Sequence, residues 1–274
     1  MKKLLFLAAV AALLMSCNKE TKEFNDLVKV GVALNGFTVA TDEMTRGDIG
    51  DYVTMLDVWV IGDDNVSEVH QSSSGNGFGT FNLILNKTKS YTLYAIAHKA
   101  AEQATLADGV ISFPDDKVTH SFFVSQTFTP TDGMSMTLTM NRIVALFRLE
   151  TTDAVPDEAK KMRFTINNVF DRWNVTTGGT HQLDRTSTVN ISSTASDGTA
   201  AFNIYAIVTD EITSHTVLVE ALDANDGIIK SQTLENIPLL NNYRTVARGV
   251  FFTDAISSFS LAAGDWQEGQ TITF

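Results

Sequence analysis

One cysteine, Cys17, serves all 274 residues, so no disulfide can close within a single chain. Proline is scarce, at four residues, and the 17 glycines follow no triplet period, which excludes collagen-like and low-complexity classes. Positive charge is also short. The 20 Lys and Arg stand against 32 Asp and Glu, a formal net charge of -12. A chain this acidic has no general attraction for nucleic acid or anionic headgroups, so no nucleic-acid partner is expected. Beyond residue 14 no apolar run is long enough to cross a bilayer as a helix.

Chemistry-bearing motifs are equally sparse. His70, His98, His120, His181 and His215 are scattered and no pair has ligand spacing, so they read as surface or loop-edge residues and no metal is expected. There is no G-x-S-x-G elbow, phosphate loop or dinucleotide glycine pattern. In "DANDGIIK", Gly227 comes one position early for a calcium loop and no closing glutamate follows, so the stretch reads as a hairpin turn. The pairs Asp63-Asp64 and Asp115-Asp116 sit in turn clusters, and their spacing in a cleft is not readable from sequence. No enzyme activity and no cofactor are expected.

What is present starts with a leader. Lys2 and Lys3 precede the apolar run Leu4 to Leu14, which has the length of a signal-peptide core. Leu14-Met15-Ser16-Cys17 then looks like a bacterial lipobox, in which the thiol takes a diacylglyceryl group and the leader is cut before it. The other reading is a plain signal peptide with a chance cysteine. Multiple acyl chains on Cys17 would anchor the chain stably to a membrane. The polar "NKETKE" that follows reads as a tether.

Past the tether the dominant period is two. Val28, Val30, Val32 and Leu34 fall on one side of "LVKVGVALNGFTV" and polar or small residues on the other, which predicts a half-buried strand. "YVTMLDVWVIG", "FGTFNLILN", "SYTLYAIAH" and "HSFFVSQTFT" continue in the same style, separated by turn clusters such as "SSSGNG" and "PTDG". Helix signals are few: the Ala-rich "HKAAEQATLADG" is the best candidate, and "PDEAKK" is good for one turn. The fold class is therefore all-β, two tandem β-sandwich domains with at most one or two short helices and a boundary near residues 139 to 142. Trp59 lies in a dense strand and reads as core. Trp173, in "FDRWNVTTGG", is loop-adjacent and is the candidate ligand contact.

These pieces resemble the Bacteroidota fimbrillin family, whose members build type V pili. The resemblance rests on the lipobox leader, the early strand, Arg46 and three patterns in the second half. "LTMNRIVALFRLE" looks like the strand that opens the family's second domain. Pro238, Leu239, Asn242, Thr245 and Gly249 of "IPLLNNYRTVARGVFF" match a late family pattern, and "AGDWQEGQTITF" resembles its C-terminal ending.

The resemblance implies transthyretin-like, Greek-key sandwiches and a maturation route. Residues 1–16 would be the lipoprotein signal peptide, and 17–46 the tether and removable strand. Residues 47–140 would form the N-terminal sandwich, completed by strand 27–39 before cleavage, and 141–274 the C-terminal sandwich. An Arg-specific protease would cut between Arg46 and Gly47. Loss of Val28, Val30, Val32 and Leu34 would open a groove for a strand from another pilus subunit. The donor would come from 256–274, with Phe259, Leu261, Ile272 and Phe274 as its alternating apolar residues. The precursor would be a surface-exposed outer-membrane lipoprotein, later part of a fimbrium. Two alternatives stay open: a pilus anchor that keeps its lipid, and a surface lipoprotein that binds glycan or protein through sandwich loops.

Overall fold

The computed structural model describes residues 26–38, 52–63, 66–192, 194–253 and 259–265. Among them the chain is strand, turn and loop, with one 3₁₀ turn at Pro114–Asp116. The first half holds β1 (Leu27–Thr38), β2 (Met55–Ile61), β3 (Val66–Ser72), β4 (Thr80–Asn86), β5 (Tyr91–His98), β6 (Thr105–Ala107), β7 (Val110–Ser112), β8 (Ser121–Phe128) and β9 (Ser135–Arg142). The second holds β10 (Ala145–Thr151), β11 (Lys161–Asn174), β12 (Gly178–Asn190), β13 (Ala201–Ala206), β14 (Thr213–Leu222), β15 (Ile228–Leu239), β16 (Tyr243–Gly249) and β17 (Phe259–Asp265).

Strict alternation builds the first sandwich. In β9 the serine and threonines at 135, 137 and 139 face out while Met136, Leu138 and Met140 are buried. The strand order is β3-β2-β5-β8-β9-β1-β4. The β8–β9 pairing is confined to Phe122↔Arg142 and Phe123↔Asn141. The path therefore turns there, and its two arms close over one core that includes Val30, Val58, Leu83, Leu93, Phe122 and Leu138.

The second sandwich repeats this plan. β10 lies between β13, antiparallel to it, and β16, parallel to it. β1 lies in the same way between antiparallel β4 and parallel β9. The facing arm is β12-β11-β14-β15, matching β3-β2-β5-β8. Among the strands of the second half, β17 has no counterpart; it adds to the outer side of β16. The late sequence pattern has a mechanical role here. Asn242 turns the chain at a φ of 65° between β15 and β16, and the Thr245 hydroxyl donates to the Pro238 carbonyl.

The helix expected over 98–109 is absent. Its place is taken by a loop and the β6–β7 hairpin, whose turn residues Asp108 and Gly109 both have positive φ, 50° and 74°. Asp-Gly is the preferred pair for such a turn, and this local signal, with pairing of β7 to Arg172–Asn174 of β11, outweighs the alanine content. The hairpin also crosses the boundary expected near 140, because it extends a sheet of the second sandwich. "PDEAKK" does form a single turn, closed by the Ala159 N–H to the Pro156 carbonyl at 3.0 Å.

The two sandwiches share a third apolar cluster, including Trp59, Ile96, Phe113, Phe123, Val144 and Ile207. Beside it Arg142 donates from Nε to Nε2 of buried His120 at 2.9 Å and from Nη1 to Asn242 Oδ1 at 3.1 Å. Tyr205 stacks on His120 at 5.4 Å. Burial, then the Arg142 guanidinium and Lys99, lower the His120 pKa to about 3. Burial likewise lowers Arg142 to about 10. Accepting from a guanidinium requires a neutral imidazole.

An unfolded histidine takes up its proton near pH 6.5, and the folded one resists until about 3. The joint's contribution is thus full above pH 6.5 and is lost progressively as pH falls toward 3. Urea midpoints of the parent should drop across that window, and His120→Gln should flatten the dependence; equal slopes would separate the acid response from this joint.

Candidate functional site

The four apolar residues of β1 are its inward face. Val28, Val30, Val32 and Leu34 are 6%, 0%, 1% and 1% exposed. They sit in the first core with Leu83 and Leu85 of β4 and with Met136 and Leu138 of β9. Residues 27–33 run antiparallel to 80–86, and 31–38 run parallel to 135–141, with a register shift between Leu34 and Gly36. The Leu34 N–H donates to the Gly79 carbonyl at 2.7 Å. Gly79 has a φ of 77°, and a Cβ there would sit 3.2 Å from that of Leu34, so the strand end and the turn are fitted to each other.

An element from near the amino end is therefore an interior strand, hydrogen-bonded on both sides. At about 1.5–3 kcal/mol for each buried side chain, its four apolar residues account for about 6–12 kcal/mol. This is gross burial, offset in part by the entropy of ordering the strand. An empty slot would expose this apolar face and leave both neighbouring backbone ladders unpaired.

The other expected site residues are distributed as follows. Cys17, Arg46, Gly47, Ile272 and Phe274 lie outside the described residues. Phe259 and Leu261 belong to β17, where they pack on the core of their own sandwich. The chain just before β17 is fastened separately. The Asp153 carboxylate accepts the N–H groups of Phe251, Phe252 and Thr253 at 2.9, 2.7 and 2.8 Å. Burial pushes the Asp153 pKa up, but these backbone bonds outweigh it and hold the group below the usual carboxylate range. Trp173, near the end of β11, is partly buried in the third cluster, with its ring 5.6 Å from that of Phe123. Its Nε1 is buried without a hydrogen-bond partner. Trp59 is core.

The histidines correct the surface reading. His98, His120 and His215 are buried. Asp57, fully buried on β2, accepts from the Ala104 N–H at 2.8 Å and bonds His98 Nε2 through Oδ2 at 2.8 Å and His70 Nδ1 through Oδ1 at 2.7 Å. His215 bridges Thr213 and the Asn167 carbonyl. A polar residue inside the apolar run "MLDVWVI" was the one sequence sign of the Asp57 network, since a buried carboxylate needs donors. The donors come from other strands, which spacing does not show. Among the described residues no group of three or more His, Cys, Asp or Glu side chains is placed to hold a metal ion.

The sequence model of a family of unknown function, DUF6562, matches residues 105–263, from the first residue of β6 into β17. No curated protein matches the chain by sequence. Solved structures share the fold across nearly their whole length. A candidate cell adhesion protein from Bacteroides ovatus is 15% identical with a TM-score of 0.52, over 89% of this chain and 98% of that one. A candidate adhesin from Bacteroides thetaiotaomicron is 10% identical with a TM-score of 0.53, over 87% and 96%. A second candidate adhesin from Bacteroides ovatus is 12% identical with a TM-score of 0.52, over 88% and 95%.

Truncation in the slot should be costly and truncation on its outer face should not. Leu34→Ala is expected to lose about 2–5 kcal/mol of unfolding free energy. Ile84→Ala, at a β4 position 62% exposed, should stay within about 0.5 kcal/mol. Similar losses at both positions, measured by urea unfolding, would mean that the slot face is not what holds β1.

Proposed function

This chain belongs to DUF6562, a family of unknown function, and from its own residues we propose that it is a cell-surface adhesive or fimbrial subunit assembled by strand replacement. It is exported as a lipoprotein on Cys17, cut between Arg46 and Gly47 by an Arg-specific protease, and joined to other subunits through the slot of β1. The carrying observation is the placement of β1: an interior strand whose only covalent link to the sandwich is the segment that contains Arg46. Cutting that segment leaves β1 held only by hydrogen bonds and apolar contact, which an incoming strand can reproduce. The fold shared with candidate adhesins supports a surface role.

The donor reading has its own support. β17 is the outermost strand of its sheet, and the first sandwich holds together without any equivalent of it. Its departure would leave a second sandwich of the same plan as the first. The Asp153 clamp and buried Phe251 would keep the preceding chain in place while Phe259, Leu261 and the residues after them moved to a neighbour.

The energy of β1 burial sets the order of events. After the cut, the fragment ending at Arg46 stays bound until a strand displaces it. Treating the purified precursor with an Arg-specific protease should give a nicked monomer that retains this fragment. Fragment release and polymer growth should then coincide. Arg46→Ala should remain intact and monomeric. Equal polymerisation of parent and variant, read by intact mass and size-exclusion chromatography, would rule out this maturation route.

A further inference from the structure

The second sandwich is open along one edge. There β12 and β13, the outer strands of its two sheets, leave a cleft of about 610 Å³ floored by the loop at residues 115–119 of the first half. The volume falls in the range of small-molecule sites, about 300–1,000 Å³. The corresponding edge of the first sandwich is bridged: the Gln71 side chain donates to the Thr80 carbonyl and accepts the Gly79 N–H, tying β3 to β4. Arg185 is the counterpart in the second, donating to the carbonyls of Tyr205 on β13 and Asp116 in the loop at 3.1 and 3.2 Å.

We propose that this cleft is a binding site for a neutral oligosaccharide. Its polar groups alternate in kind. Asp171, 5% exposed, is oriented by His181 Nδ1 at 2.8 Å. Arg172 presents a buried Nε with no partner, 3.9 Å from Asp171 Oδ1, too long for a hydrogen bond. Asn203 accepts from Arg148 through its carbonyl oxygen and also lines the cleft. Asp184 uses Oδ1 on the Asn168 N–H. A sugar hydroxyl donates once and accepts twice, so neighbouring hydroxyls need donors and acceptors side by side, as here. Half-buried Leu183 supplies apolar surface for the C–H faces.

Charge and shape narrow the class. Four aspartates face Lys117, Arg172 and Arg185, so the lining is close to neutral within a chain of net charge -12. A polyanion would meet no net attraction. The β12 side of the cleft runs from Leu183 to Val189, about 20 Å of extended strand, which suits a chain of sugars better than one ring. An added peptide strand is disfavoured at β13, because Arg185 already occupies the Tyr205 carbonyl.

This site is separate from the β1 slot and needs no assembly, so it is tested on the full-length Arg46→Ala monomer. The probes are maltohexaose, cellohexaose, xylohexaose and mannohexaose, with hexagalacturonate and a synthetic peptide of residues 259–274 as contrasts, each titrated calorimetrically. At least one neutral hexaose should bind with Kd at or below about 1 mM. Asp171→Asn should weaken it at least about tenfold, as should the double variant Asp184→Ala with Asn203→Ala, which changes only exposed rim positions. Absence of binding by every neutral hexaose overturns the proposal. So does binding that the double variant leaves unchanged, or preference for hexagalacturonate or the peptide over all four.

Discussion

β1 is held by two neighbours at once, and the first sandwich is organised around that fact. An edge strand can fray without opening its core, but a strand between two others cannot leave without exposing both backbone ladders and the apolar face beneath. Val28, Val30, Val32 and Leu34 lie under β1, and the outer faces of β4 and β9 are polar or isolated apolar residues. The slot is therefore specific for an extended segment with apolar residues at alternate positions. It imposes little on the residues between them, which point to solvent. Many sequences could satisfy that requirement, which is the physical basis for filling it from another molecule.

The same slot exists twice. β10 fills it in the second sandwich, but both its ends continue into the chain, to β9 through residues 143–144 and to β11 through residues 152–160. No single cut near a terminus frees it. The duplicated plan thus carries one covalently secured copy and one whose opening strand comes from near the amino end. Between the copies, the third apolar cluster, the crossing β6–β7 hairpin, the Arg142–Asn242 hydrogen bond and the Tyr205–His120 stack make one continuous joint.

The copies also differ at the open edge between β12 and β13. In the first sandwich a neutral glutamine closes the edge through two backbone bonds. In the second an arginine reaches across to the Tyr205 carbonyl and also touches the first half at Asp116. The difference is one of side-chain length and of the loop at residues 115–119, not of strand order.

Much of the fold could be read directly. Alternation in "LVKVGVALNGFTV" marked which β1 residues face inward, because a strand's side-chain period is two whatever its neighbours. Asn and Gly turn clusters marked most hairpins. "ADGV" carried the β6–β7 turn too, although alanine content pointed to a helix. The sequence alone thus determined the all-β class, the inward face of β1 and many of the turns, since these depend on contacts within a few residues. Tertiary structure alone decided which strands became neighbours, that β1 is interior, that Asp57 meets His98 across 41 residues, and that a cleft opens beside Arg185. Those outcomes depend on pairing between distant segments, where loop closure and core shape select one arrangement from many with the same local pattern.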